Sequence, residues 1–125
     1  MNPANLFNHE TNTTDLEAGA ILFSEGETGD CMFVLLEGAL DVVVDGTVVE
    51  KSVRGALLGE MALIDNSPRG ATVVATEASR LAKVDEKRFN FIIQHNPFFA
   101  KQVMRVLVDR IRRMNRSHIS PAASE

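Results

Sequence analysis

The sequence predicts a mainly β fold with C-terminal helices: an antiparallel β-roll, of the jelly-roll-like double-stranded β-helix kind, with one short helix inside it and two behind it. Three observations predict this. From Ala20 to Val84, strand-length apolar runs alternate with turn residues, with no helix-length period between most of them. Asp45-Gly46 sits between VVV and TVV, the strongest short-range hairpin signal. After Asp85 the apolar spacing lengthens to three and four residues.

The elements follow in order. AILF runs into a Gly- and acid-rich loop, Gly26 to Asp30. The run from Cys31 to Val53 holds strands interrupted at Glu37-Gly38, a bulge or turn, and at Asp45-Gly46. ATVVAT and RLAKV are two further strands separated by Glu77-Ala78-Ser79. Asp85 suits the N-cap of a helix beginning EKRFNFII, with Glu86 in its first turn. Asn96 and Pro97 restart a second helix as N-cap and first helical residue. Its apolar stripe is Phe99, Val103, Val106, Leu107, Ile111 and Met114, and Arg112, Arg113 and Arg116 fall in its last turns. The expected organisation is a poorly ordered segment over 1–14, a domain over 15–116 (roll 15–85, helices 86–116) and a polar tail over 117–125.

A chain of 125 residues fits one domain, and 45% hydrophobic with 24% charged residues is a globular balance. At this length folding buries roughly two-thirds of the unfolded surface, so a core needs no disulfides. The single cysteine, Cys31, has no internal partner, which makes a reducing compartment the expectation. No apolar run approaches the ~18 residues of a membrane span. The first fourteen residues lack the basic start and apolar stretch of a signal peptide, so the expected location is the cytoplasm. Residues 1–85 hold 5 Lys/Arg against 14 Asp/Glu, and residues 86–125 hold 8 against 3. An acidic body with a basic end is not the footprint of a nucleic-acid binder, and no membrane contact is expected either.

Catalytic patterns are sparse. His9, His95 and His118 are dispersed and form no strand-borne His-x-His pair, so no metal site is expected. Cys31, beside Met32 and Phe33, reads as a core residue. Neither a nucleophile elbow nor a P-loop occurs. No enzyme activity and no cofactor are expected.

One segment carries binding chemistry: GALLGEMALIDNSPRGATVVAT, Gly55 to Thr76. Gly59 permits close backbone approach, and EMALI can form a helical turn or two whose first N–H groups are free to meet an anion. Arg69, nine residues after Glu60, is a planar fork suited to phosphate oxygens. Glu60, an acceptor, suits a sugar hydroxyl. Together they match a ribose bearing a phosphate, although a surface Glu–Arg ion pair across a loop has the same spacing.

The run L-G-E-M-A-L-I-D-N-S-P-R-G-A-T-V resembles the phosphate-binding cassette of the cyclic nucleotide-binding domain family, F-G-E-[L/M]-A-L…P-R-[A/S/T]-A-T-V. The resemblance extends upstream through GAILFSEGETGDCMFVLLEGALDVV and downstream through RFNFIIQHNPFFAKQVMRVLVDRIRRM, covering about Thr14 to Asn115. It implies that Glu60 accepts from the ribose 2′-hydroxyl and Arg69 pairs with the cyclic phosphate. It places the backbone of Gly59, Met61, Ala62 and Ala71 at the phosphate or ribose, and Leu58 and Val73 as apolar contacts near the base. Where relatives often carry Ala, Ser or Thr after the arginine, this chain has Gly70. A Thr there is associated with a contact to the guanine amino group, so Gly70 favours cyclic AMP over cyclic GMP. VLVDRIRRM resembles the capping helix of cyclic nucleotide-gated and hyperpolarisation-activated channels, making Arg110, Arg113 and Met114 candidates for a lid over the base; a solvated basic face is the competing reading.

Two departures matter. With no Trp or Tyr, the aromatic cap of protein kinase regulatory subunits is absent unless a Phe replaces it. The helix-turn-helix of the family's bacterial transcription factors has no counterpart in these residues. The expected function is a receptor module that binds a cyclic nucleotide without chemistry and shifts its C-terminal helices in response. The alternative is a ligand-independent interaction or dimerisation domain that keeps the fold and uses its last helix toward a partner protein or a second copy.

Overall fold

A computed structural model describes residues 2–118, the side chains of residues 114 and 116–118 excepted. The chain divides into two compact units with the boundary between Phe91 and Ile92. Among the described residues, the first holds eight strands: β1 (Thr13–Leu16), β2 (Ile21–Phe23), β3 (Cys31–Glu37), β4 (Leu40–Val44), β5 (Thr47–Ser52), β6 (Leu57–Leu58), β7 (Thr72–Ala75) and β8 (Ser79–Asp85). A single-turn helix, α1 (Met61–Ile64), sits between β6 and β7, and α2 (Glu86–His95) follows β8. The strands form two four-stranded antiparallel sheets, ordered β1-β8-β3-β6 and β2-β7-β4-β5.

β3 is an interior strand, and five consecutive residues from Cys31 to Leu35 are buried. Side chains alternate across a strand, so Cys31, Phe33 and Leu35 face one way. They join Leu40, Val42, Leu58, Val73, Ala75 and Leu81 in a core drawn from both sheets. The β4–β5 hairpin turns at Asp45 (φ 51°) and Gly46 (φ 78°), the pair of positive φ values that a type I′ turn requires. The interruption at Glu37-Gly38 is a register shift between Leu35 and Glu37 where β3 pairs with β8.

Within the N-terminal segment, residues 3–7 take up regular structure. Pro3–Phe7 is a 3-10 helix packed on β3, with Ala4 and Phe7 buried. Asn2 caps it through Oδ1, which accepts from the Ala4 amide at 2.9 Å, and the Asn2 amide nitrogen donates to the Arg54 carbonyl at 3.1 Å. Glu10 pairs with Arg88 of α2, and the Arg88 guanidinium lies 5.2 Å from the centre of the Phe7 ring. The stretch is rich in Asn and Thr. Two buried apolar side chains and a set of backbone anchors hold it.

Both expected helix caps are present. Asp85 Oδ1 accepts from the Arg88 amide at 2.9 Å, and Asn96 Oδ1 accepts from the Phe99 amide at 3.0 Å. The second unit is built on α3 (Pro97–His118), where Phe99 and Val103 are buried and Val106 and Leu107 half-buried. Ile111, expected on the same stripe, is 55% exposed. Twelve residues at ~100° each carry it about a third of a turn away from Phe99, onto an exposed strip with Met104 and Val108. The Met114 side chain and the tail beyond His118 lie outside the described residues. Among the described residues, no helix is long and apolar enough to cross a membrane.

Candidate functional site

The glycine-to-valine segment 59–73 runs from the end of β6, through α1 and a turn, into β7. Gly59 makes the entry possible: its φ of +78° is a left-handed conformation that a side chain disfavours. It brings the Gly59 carbonyl back over the helix start, where it accepts from the Ala62 amide at 3.3 Å. Of the donors expected at this end, the Ala62 N–H thus already has a weak partner. Glu60 is fully buried at the head of α1. The turn after α1 is closed by Asp65, whose Oδ1 accepts from the Ser67 amide at 3.0 Å and from the Ser67 hydroxyl. Those donors hold the Asp65 carboxyl below the usual carboxylate range.

Arg69 is held by its backbone and its side chain separately. Its N–H donates to the Glu27 carbonyl and its own carbonyl accepts from the Gly26 N–H, both at 2.7 Å. This ties the residue to the loop after β2. The side chain is only 7% exposed. Nη1 donates to the Gly59 carbonyl at 3.1 Å, and Nη2 reaches the Cys31 Sγ at 3.8 Å. The guanidinium carbon stands 4.2 Å from the Phe23 ring centre and 6.0 Å from that of Phe33. A Cβ on Gly29 would come within 2.3 Å of that carbon. Burial pushes the Cys31 thiol pKa up, with the Arg69 cation acting the opposite way.

A buried cation and a buried carboxyl side chain on one glycine-built segment suit a ligand that offers both an anion and a hydroxyl. Against that geometry the comparisons are specific. The family model of the cyclic nucleotide-binding domain matches residues 13–96. The chain belongs to that family. A patatin-like phospholipase domain-containing protein of Caenorhabditis elegans is 35% identical over 101 residues, 81% of this chain and 8% of its own length. The cAMP-dependent protein kinase regulatory subunit of Yarrowia lipolytica is 36% identical over 77 residues, 62% of this chain and 20% of its own. Among solved structures, cAMP-bound PfPKA-R (141–441) matches with a TM-score of 0.76 and 26% identity, over 90% of this chain and 39% of that one. The chain thus spans a small part of these curated relatives.

In this cyclic nucleotide-binding domain Leu58, Gly59, Glu60, Met61, Ala62, Arg69, Gly70, Ala71 and Val73 all lie within the first unit. Leu58 and Val73, expected to offer apolar surface to a base, are each 1% exposed and belong to the core. Met61 and Ala71 are half-buried, Ala62 is buried and Gly70 is exposed. Arg110 and Arg113 are half-buried on α3 in the second unit. Sequence reasoning missed Phe23 and Gly29, and it read Cys31 as core without seeing its contact to Arg69. AILF and ETGDC carry no local mark of these roles, since the contacts form only when the β2–β3 loop folds against Arg69.

Proposed function

We propose that this domain is a receptor for a cyclic nucleotide, cyclic AMP in preference to cyclic GMP, which it binds without transforming. One observation carries the reading: Glu60 at 0% and Arg69 at 7% exposure are built into the cassette of a domain whose family is cyclic nucleotide-binding. An unliganded structural domain gains little from burying a carboxyl and a guanidinium, because desolvating charge costs free energy. In this reading Arg69 pairs with the cyclic phosphate and Glu60 accepts from the ribose 2′-hydroxyl. The backbone at Gly59, Met61, Ala62 and Ala71 supplies further polar contacts. Gly70 has no side chain to meet the guanine amino group, which supports the lean to adenine.

The response assigned to binding is a shift of the C-terminal helices. Its output goes to a partner protein or to whatever longer chain carries the domain. Calorimetric titration with each cyclic nucleotide tests the reading. Micromolar or tighter binding is expected, with cyclic AMP the tighter. No heat and no change in melting temperature with either ligand at millimolar concentration overturns it. A second reading, an interaction or dimerisation domain, is favoured by the exposed strip Met104, Val108 and Ile111 on α3. Light scattering of the free protein tests that one independently.

A further inference from the structure

Resting on the receptor reading, we propose that Phe23 and Gly29 form a clamp that positions Arg69 for the phosphate: Phe23 supplies a face for the guanidinium and Gly29 the space beside it. The Arg69 backbone is fixed at both its N–H and its carbonyl, so only the long side chain can wander. At 4.2 Å the Phe23 ring offers its electron-rich face to the cation, a contact that strengthens where water is excluded, as at this 7% exposed side chain. A guanidinium held over a ring still has N–H groups to offer acceptors. Two of these N–H groups already have partners, Nη1 on the Gly59 carbonyl and Nη2 on the Cys31 Sγ.

Gly29 completes the clamp by what it lacks. A Cβ there would stand 2.3 Å from Cζ, 2.4 Å from Nε and 2.5 Å from Nη2 of Arg69, so any side chain at 29 evicts the guanidinium or is itself displaced. Phe33 backs the arrangement, its ring centre 6.2 Å from that of Phe23. Neither Phe23 nor Gly29 needs to touch the ligand. Both are positioning residues, acting through Arg69.

The test uses the whole chain and two readouts. In the free protein, the Arg69 Nε–H resonance, assigned by its loss in Arg69→Lys, should be shifted upfield by the Phe23 ring current. Phe23→Leu should return it to the ordinary range and Phe23→Tyr should leave it shifted. In calorimetry with cyclic AMP, Phe23→Leu and Gly29→Ala should each weaken binding tenfold or more, about 1.4 kcal/mol. Phe23→Tyr should stay within threefold of wild type, a rescue that apolar filling alone does not explain. An unshifted Arg69 resonance in wild type overturns the clamp. So does an affinity within threefold of wild type in a folded Phe23→Leu or Gly29→Ala protein. Should Phe23→Leu not fold, the wild-type resonance and Gly29→Ala still decide. Failure of the receptor reading looks different: wild type gives no heat with either nucleotide while its Arg69 resonance remains shifted.

Discussion

In the proposed site, Arg69 and Glu60 would answer to different parts of the ligand, so their removal should not cost the same. Arg69→Ala takes away the cation facing a desolvated phosphate and is expected to weaken cyclic AMP binding by about 2–5 kcal/mol. Glu60→Ala would remove the acceptor proposed for the neutral ribose hydroxyl and should cost about 1.5–3 kcal/mol. Titration calorimetry of the folded variants orders the two, and normal binding by Arg69→Ala refutes the site. Gly70→Thr is the complementary gain. A Cβ at 70 meets only the Met61 methyl at 3.5 Å, an ordinary contact, so the residue fits. Its hydroxyl should improve cyclic GMP relative to cyclic AMP several-fold, roughly the 0.5–1.5 kcal/mol of one hydrogen bond; an unchanged ratio removes position 70 from the selectivity argument. Away from the site, the Asp15 carboxyl is held below its usual value by its bond to Arg80. A depressed carboxyl pKa stabilises the fold above the unfolded value of 3.8 and loses that contribution as pH falls through the folded one. The pair is exposed, so the effect on stability is small, but Arg80→Gln should move the Asp15 titration upward toward 3.8 in NMR.

Among the elements, the N-terminal 3-10 helix is the one whose sequence understates it. Phe7→Ala should destabilise the fold by about 3–5 kcal/mol, as for a buried aromatic, seen as a lowered denaturation midpoint. A midpoint within experimental error of wild type would return residues 2–7 to the status of a loose arm. The hairpin at Asp45-Gly46 and the caps at Asp85 and Asn96 were legible because each rests on local backbone chemistry that two to four residues decide. β1 and β6 were not. TTDL has one large apolar side chain, and Leu57–Leu58 is too short to show any period, so both owe their strand form to pairing with β8 and β3. The cassette was legible as a string because Glu60 and Arg69 lie nine residues apart. The Phe23 ring comes 46 positions before Arg69, from the strand neighbouring β7 in the other direction of the chain, and pattern alone does not carry that distance. α3 carries the remaining element-scale prediction. If Arg110 and Arg113 reach the base, Arg110→Ala or Arg113→Ala should quicken dissociation of cyclic AMP with the free protein's melting temperature unchanged. Unchanged affinity and off-rate in both would make them a solvated basic face.

For the whole molecule, binding only to the folded state adds about 2.7 kcal/mol at a hundredfold excess of ligand over Kd, so saturating cyclic AMP should raise the melting temperature clearly. The Gly26–Arg69 and Arg69–Glu27 backbone bonds, which lash the loop after β2 to the segment leading into β7, have a consequence that needs no ligand. An amide exchanges its hydrogen with solvent only when its bond opens, and these two amides can open only if the same pair of segments parts. Gly26 and Arg69 should therefore trade hydrogen for deuterium at rates that rise and fall together, across denaturant, temperature and substitution, although 43 positions separate them along the chain. A loop rich in glycine and acidic residues would then hold one of its slowest-exchanging amides at Gly26, and that amide would report whether the anchor of Arg69 is shut.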